Sequence, residues 1–184
     1  SFIAEGDYPI SSITDGIQAV GFSSPVEKRT VGVTWTTWGS PPATESSSPP
    51  VLYSDSASQL LTLSRPSVIF GFELQPADLS AYAYTADFFS GTSLIGSITQ
   101  AVNGNAGAIL FAASDNSPFT SVSISGGDQT GFAMAQFRYA AQQPQQQVPG
   151  PLPILGVASA FVYSRKLRKR IKESKALPVA SAID

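Results

Sequence analysis

The sequence predicts an all-β fold, an antiparallel β-sandwich, and two observations support this prediction. Between residues 10 and 139, apolar runs of strand length recur about every ten residues and are separated by Gly, Pro, Asn, Asp and Ser, a spacing typical of sandwiches and barrels. Apolar residues alternate with smaller or polar ones in runs such as Phe70, Phe72 and Leu74, as in a strand with one buried face. Ten strands, enough for two packed sheets, are predicted at 17–22, 30–38, 51–53, 59–63, 68–74, 81–89, 94–102, 108–113, 122–125 and 132–139.

Charge and composition narrow the range of functions. Residues 1–148 contain eleven acidic and four basic residues, whereas residues 149–184 contain seven basic and two acidic residues. An acidic body repels phosphate backbones, so nucleic acid is not an expected partner. The chain has no His and no Cys, which removes histidine-based triads, cysteine nucleophiles and nearly all zinc sites. We therefore expect a protein that is not an enzyme.

The strongest signal is an apolar segment near the C-terminus. Residues 148–164 are seventeen consecutive uncharged residues, which as a helix would cover about 25 Å of the ~30 Å hydrocarbon core of a bilayer. A dense basic run follows, as is typical of the cytoplasmic end of a membrane helix. The predicted anchor consists of Pro153, Ile154, Leu155, Gly156, Val157, Ala158, Ala160, Phe161, Val162 and Tyr163, and the basic stop of Arg165, Lys166, Arg168, Lys169, Arg170 and Lys172.

This segment divides the chain into four predicted parts. They are a β domain at 1–140, a linker rich in Pro and Gln at 141–152, the core of a transmembrane α-helix at 153–164 and a basic cytoplasmic tail at 165–184. The positive-inside rule places the β domain outside the cytoplasm, in a periplasm, at a cell surface or in a lumen. The chain begins at Ser1 rather than at Met, so we expect that a signal peptide has been removed. A buried core helix with a solvated basic tail is the alternative.

A Pro-rich motif precedes the apolar run and consists of Val148, Pro149, Gly150 and Pro151. Together with the apolar run and the basic stop, it resembles the C-terminal sorting segment of PEP-CTERM proteins, particularly of cyanobacterial forms. The resemblance implies export, one membrane helix and, in some members, processing by exosortases and association with extracellular polysaccharide. Gly150 stands where the named motif has an acidic residue. Residues 67–74 and 131–139 also resemble strands of the sandwich domains that precede such anchors, which implies a jelly-roll-like fold.

Two sets of residues are candidate binding residues in the β domain. Aromatic side chains can stack on sugar rings, although aromatic residues at strand spacing more often belong to a core. Asp15 and Asp128 lie beside turn residues and are candidate Ca²⁺ ligands, with turn capping as the alternative. No other metal or cofactor is expected. The aromatic candidates for glycan binding are Trp35, Trp38, Tyr82 and Tyr84.

The predicted function follows from the anchor. We expect a non-enzymatic exported protein with a structural or interaction role, held in the lipid bilayer by one helix. It would act at the cell surface or as an accessory subunit of a larger membrane complex, with small residues such as Gly156 and Ala160 permitting close contact between helices. The alternative is a glycan-binding module associated with extracellular polysaccharide.

Overall fold

The computed structural model describes residues 9–141 of the chain. These residues form an antiparallel fold made of strands, so the prediction of an all-β domain is confirmed. Across the described residues there is no helix of the length and apolarity that crossing a bilayer requires. The strands are β1 Ile10–Thr14, β2 Ala19–Thr30, β3 Pro50–Ser54, β4 Ser58–Pro76, β5 Ala81–Ser90, β6 Ser93–Asn103, β7 Ile109–Gly126 and β8 Phe132–Ala141.

Hydrogen bonding runs through all eight strands in the order β1-β2-β3-β8-β4-β7-β5-β6. An additional pairing between β2 and β4 closes β2, β3, β8 and β4 into a ring. This ring forms because the first half of β4, at Leu61, pairs with β2, while its second half, from Ser67 onward, pairs with β8. Instead of the two separate sheets expected from the sequence, hydrogen bonding connects all eight strands into one sheet.

Two pairs of predicted strands are single long strands in the structure. The predicted strands 59–63 and 68–74 are both part of β4, and 108–113 and 122–125 are both part of β7. The polar and Pro-containing stretches that separate them, around Pro66 and Pro118, are irregularities of register within the β4–β7 ladder. A proline has no N–H to donate, so it interrupts the ladder locally without requiring the chain to turn back.

The predicted strand at 30–38 is wrong beyond Thr30, because the chain forms turns there. The amides of Val33, Thr34 and Trp35 all donate to the carbonyl of Thr30, at 2.9–3.1 Å. Val33, which alternates with Val31 and Trp35 as a residue on the core face of a strand would, is 75% exposed. These turns begin the long loop at 31–49, which packs over the sheet.

The core has two parts because β4 is buried on both faces. Phe70, Phe72 and Leu74 lie in the larger cluster, as their alternation predicted, and the ring of Phe72 stacks on that of Phe111 with centroids 5.9 Å apart. The opposite face of β4 carries polar residues that are buried beneath the loop at 31–49. A smaller cluster under that loop contains Trp35, Trp38, Val51, Ala108, Ala133 and Ala135.

Candidate functional site

A cavity with a volume of about 390 Å³ forms an open groove bordered by β1, β2, β3 and β8. This volume falls within the roughly 300–1,000 Å³ that is usual for small-molecule sites. We refer to it as the groove. Its lining residues are Ile13, Thr14, Asp15, Gln18, Val20, Lys28, Pro50, Leu52, Ala135, Gln136, Phe137 and Tyr139.

Apolar side chains, among them Val20, Leu52 and Phe137, line much of the groove. The Phe137 ring is held from behind by the rings of Phe22 and Phe70, with centroids 6.4 and 6.3 Å away. Its position is therefore set by the larger core cluster. The groove thus offers a pre-formed apolar surface on which a flat or ring-shaped ligand could rest.

A β-bulge in β8 brings Phe137 to this surface. Ala135 pairs with Glu73 and Arg138 with Gly71, so three steps along β8 match two along β4. The extra residue shifts the alternation of side chains by one. Ala135 consequently lies in the smaller cluster, whereas Phe137 packs against the larger one.

Gln136, within this bulge, has two unusual features. Its φ of 53° makes it the one non-glycine residue with positive φ among residues 9–141. Its carboxamide makes no hydrogen bond to any described residue, and its Oε1 is shielded from solvent without a partner. Buried polar atoms without partners are rare, and each calls for an explanation.

Gln18 is the second glutamine of the groove, and it is more firmly held. It is 3% exposed, and its Nε2 donates to the carbonyls of Arg65 at 3.2 Å and Ala19 at 3.4 Å. Its Oε1 also has no partner. Both buried side-chain oxygens without a partner in the described part of the chain therefore belong to groove residues.

Asp15 and Tyr139 link two rims of the groove. The Tyr139 hydroxyl donates to Oδ2 of Asp15, and the amides of Ile17 and Gln18 donate to Oδ1 at 2.8 and 2.9 Å. These hydrogen bonds, that of Tyr139 foremost, lower the pKa of Asp15 from 3.8 to about 2. The same bond raises the pKa of Tyr139. Asp15 therefore stays ionised across the physiological range.

Replacing Tyr139 with Phe is expected to raise the pKa of Asp15 toward 3.8, because it removes the largest cause of its depression. A carboxylate with a lowered pKa in the folded state contributes stability above its unfolded pKa, and this is lost as the pH falls from about 4 to about 2. Wild type should lose this contribution in that window, and the variant should lose less, because only the backbone hydrogen bonds, chiefly those of Gln18 and Ile17, still lower the pKa of Asp15. An NMR titration of the Asp15 carboxyl carbon measures the shift. Tyr82→Phe, which removes a hydroxyl bonded to Asp78, is the control, and an unchanged Asp15 pKa in Tyr139→Phe would contradict the prediction.

The four predicted aromatic residues do not form an exposed platform, which corrects that prediction. Trp35, Trp38 and Tyr84 are buried, with exposures of 7%, 1% and 0%. The indole N–H of Trp35 donates to Oε1 of Gln75 and that of Trp38 to Oε2 of Glu73, both at 2.9 Å. Tyr82 alone is half-exposed. The two indoles hold the loop at 31–49 against the buried polar face of β4.

Asp128, a predicted Ca²⁺ candidate, acts as a turn cap in the structure. It is 1% exposed; its Oδ2 accepts from the amide of Asp78 at 2.9 Å and its Oδ1 from the amide and hydroxyl of Thr130 at 2.8 and 2.6 Å. Both carboxylate oxygens of Asp15, the other candidate, accept the hydrogen bonds described above. Within residues 9–141 no three Asp or Glu residues group together as a metal site would require.

A buried ionic clamp was not foreseen from the sequence. Glu73 is fully buried and accepts from the indole of Trp38, from the amide of Glu45 at 2.9 Å and from Arg138 at 2.7 Å. Arg138 also donates to Glu45 at 3.0 Å. We call Glu73, Arg138, Glu45 and Trp38 the clamp. One feature of the sequence could have indicated the clamp: Glu73 is a single acidic residue within the apolar run of β4. A charge that is buried with such a run needs a partner.

The remaining predicted residues lie outside the described part of the chain. They are the anchor at 153–163, the basic stop at 165–172 and the sorting-like motif at 148–151.

Comparison with known proteins gives distant similarities to solved structures. No protein-family model and no curated protein matches the chain. The enzymatically active domain of tailspike protein 4 of bacteriophage CBA120 aligns at 13% identity with a TM-score of 0.35, over 72% of this chain and 22% of that one. The TmCBM61 structure in complex with β-1,4-galactotriose aligns at 10% identity with a TM-score of 0.34, over 65% of this chain and 90% of that one. Likeness at this level does not bear on what the present chain binds.

Proposed function

We propose that the β domain is a non-catalytic binding domain whose groove takes a sugar unit of a polysaccharide. The observation that carries this proposal is the combination, in one cavity of about 390 Å³, of an apolar wall that includes Phe137 with polar groups at its edges. Pyranose rings match such a surface because their C–H faces are apolar and their edges carry hydroxyl groups. A purely aliphatic ligand would leave the polar edges of the groove desolvated without hydrogen bonds.

The charges around the groove favour a neutral ligand. Asp15 and Lys28 contribute one charge of each sign to the lining. The described part of the groove thus has no excess of either charge to select an ionic ligand. Small-molecule sites commonly combine a mostly apolar lining with a few polar groups that fix orientation, and this groove has that composition.

The test is retention of the full chain, in a non-glycosidic detergent, on immobilised dextran, mannan, xylan and galactan. Ile13 lies at the wall of the groove, so Ile13→Trp should obstruct it and weaken retention at least about tenfold, the effect of losing a central contact. Leu94→Trp is the matched control, because Leu94 is 57% exposed on β6 and does not line the groove.

Two results would count against a sugar-binding groove. The first is retention of wild type on none of the four polysaccharides, and the second is binding by Ile13→Trp that equals binding by Leu94→Trp. Both variants should unfold with the same cooperative transition as wild type, which separates a blocked groove from a misfolded domain.

We further propose that this domain is a jelly-roll-like sandwich displayed outside the cytoplasm by a C-terminal transmembrane helix, as in PEP-CTERM proteins. The support is the uncharged run at 148–164 followed by six basic residues, the pattern of the cytoplasmic end of a membrane helix. The chain has no native cysteine, so Ser12→Cys and Ser174→Cys each introduce a single thiol. In sealed cells an impermeant maleimide should label the first and not the second; labelling of Ser174→Cys would exclude this topology.

A further inference from the structure

The structure points to Gln136 as the specificity-determining residue of the groove: we infer that its carboxamide binds two neighbouring hydroxyl groups of a neutral sugar. This inference rests on the proposed sugar-binding function and adds the class of ligand and the residue that selects it.

The backbone at Gln136 does not explain why a glutamine is there. A φ of 53° lies in the left-handed region, which glycine adopts without strain and other residues adopt rarely. Glycine would therefore serve the bulge better than glutamine. Strained residues are found preferentially at binding and catalytic sites, where the surrounding structure holds them in place.

The carboxamide of Gln136 also has no role inside the described fold. It makes no hydrogen bond there, and its Oε1 has neither a protein partner nor contact with solvent. Gln136 lines the groove, and because its side chain has several staggered rotamers and a broad terminal torsion, a change of rotamer would turn the whole carboxamide toward a ligand there. A ligand donor would then satisfy an oxygen that the unliganded domain leaves unpaired.

The chemistry of a carboxamide selects the ligand. The group carries an acceptor oxygen and a donor nitrogen side by side, and two neighbouring hydroxyl groups can donate to the first and accept from the second. A carboxylate can only accept, so it cannot pair with the oxygen. Asp15 and Lys28 contribute opposite charges to the lining, so the groove gives an anionic ligand no net electrostatic advantage that would offset this mismatch.

The nearby Gln18 cannot take this role. Its nitrogen is fixed by the carbonyls of Arg65 and Ala19, so a rotation of its carboxamide would break existing hydrogen bonds. Gln136 is thus the groove glutamine that is free to turn toward a ligand.

The experiment compares the full chain with Gln136→Gly and Gln136→Asn. Probes are the neutral dextran, mannan, xylan and galactan and the acidic alginate and polygalacturonate. Gln136→Gly should keep or raise the melting temperature, since it removes strain, while its affinity for the neutral polysaccharide that wild type binds falls at least tenfold. Gln136→Asn tolerates the same backbone but is one methylene shorter, so it should fold normally and also lose affinity.

The outcomes separate this inference from the function on which it rests. Wild type that prefers a neutral polysaccharide, with both variants impaired, supports it. Equal or tighter binding of alginate or polygalacturonate, or undiminished binding by folded Gln136→Gly, overturns the role of Gln136 but leaves a sugar-binding groove. Binding of none of the six polysaccharides overturns both.

Discussion

Replacement of Arg138 by Met is expected to lower the free energy of unfolding by about 2–4 kcal/mol, less than the roughly 3–5 kcal/mol of a fully buried ion pair, because the Arg138 side chain is 34% exposed. The cost arises from Glu73, which is fully buried and loses the hydrogen bond of 2.7 Å that Arg138 donates. The carboxylate keeps its bonds to Trp38 and to the amide of Glu45, but no cation remains beside it. Methionine retains much of the aliphatic stem, so the lost charge dominates the effect.

Urea unfolding of the full chain, followed by tryptophan fluorescence, measures this change. The chain has two tryptophans, Trp35 and Trp38; both lie in the smaller core cluster and Trp38 belongs to the clamp, so the signal reports the β domain. Arg65→Met is the control, because Arg65 is exposed and makes no ion pair among residues 9–141. The control should change stability by less than about 1 kcal/mol.

A second substitution tests the assigned cause. Adding Glu73→Gln to Arg138→Met removes the uncompensated charge; the single carboxamide oxygen can accept from Trp38 or from the amide of Glu45 but not from both, and one lost neutral hydrogen bond costs less than an unpaired buried charge. Part of the lost stability should return. If the double variant is less stable than Arg138→Met alone, the penalty does not come from the buried charge of Glu73.

Gly131→Ala is expected to cost about 2–6 kcal/mol, because left-handed backbone strain and overpacking each contribute about 1–3 kcal/mol. Gly131 has a φ of 98°, and a Cβ there would lie 2.0 Å from the carbonyl oxygen of Ser54. Its own carbonyl accepts from the amide of Ala77 at 3.0 Å. A shift of the backbone to relieve the clash would therefore disturb this hydrogen bond as well.

Gly91→Ala is the matched control for Gly131→Ala. Gly91 has a φ of 59°, but a Cβ there would meet nothing within 4 Å. Its substitution should cost only the backbone strain, about 1–3 kcal/mol. The same urea titration applies, and equal losses in the two variants would show that close packing at Gly131 adds nothing.

Local pattern was sufficient to predict the fold class and several strands. The alternation of Phe70, Phe72 and Leu74 correctly placed these residues in a core, and the predicted strands at 81–89, 94–102 and 132–139 match β5, β6 and β8 within a few residues. The spacing of apolar side chains and the positions of turn residues are local properties of the chain, so both can be recognised from the sequence without a structure. The same reasoning failed at 30–38, where the alternation of Val31, Val33 and Trp35 is that of a strand but tertiary packing of the tryptophans produces a loop.

The groove and the clamp were decided by tertiary structure alone. Asp15 was a candidate residue in the sequence because it lies beside a turn residue. Its hydrogen bond to Tyr139 joins residues 124 positions apart, so a local pattern could not predict it. The sequence could not distinguish Gln136 from the other glutamines of the chain, because its bulge depends on the register between β8 and β4. By itself, the sequence determined an all-β domain with its apolar strand faces and predicted a membrane anchor after it. Which polar residues are buried, which aromatic residues lie in a core and which side chains share a cavity depend on long-range strand pairing, whose register a local pattern does not encode.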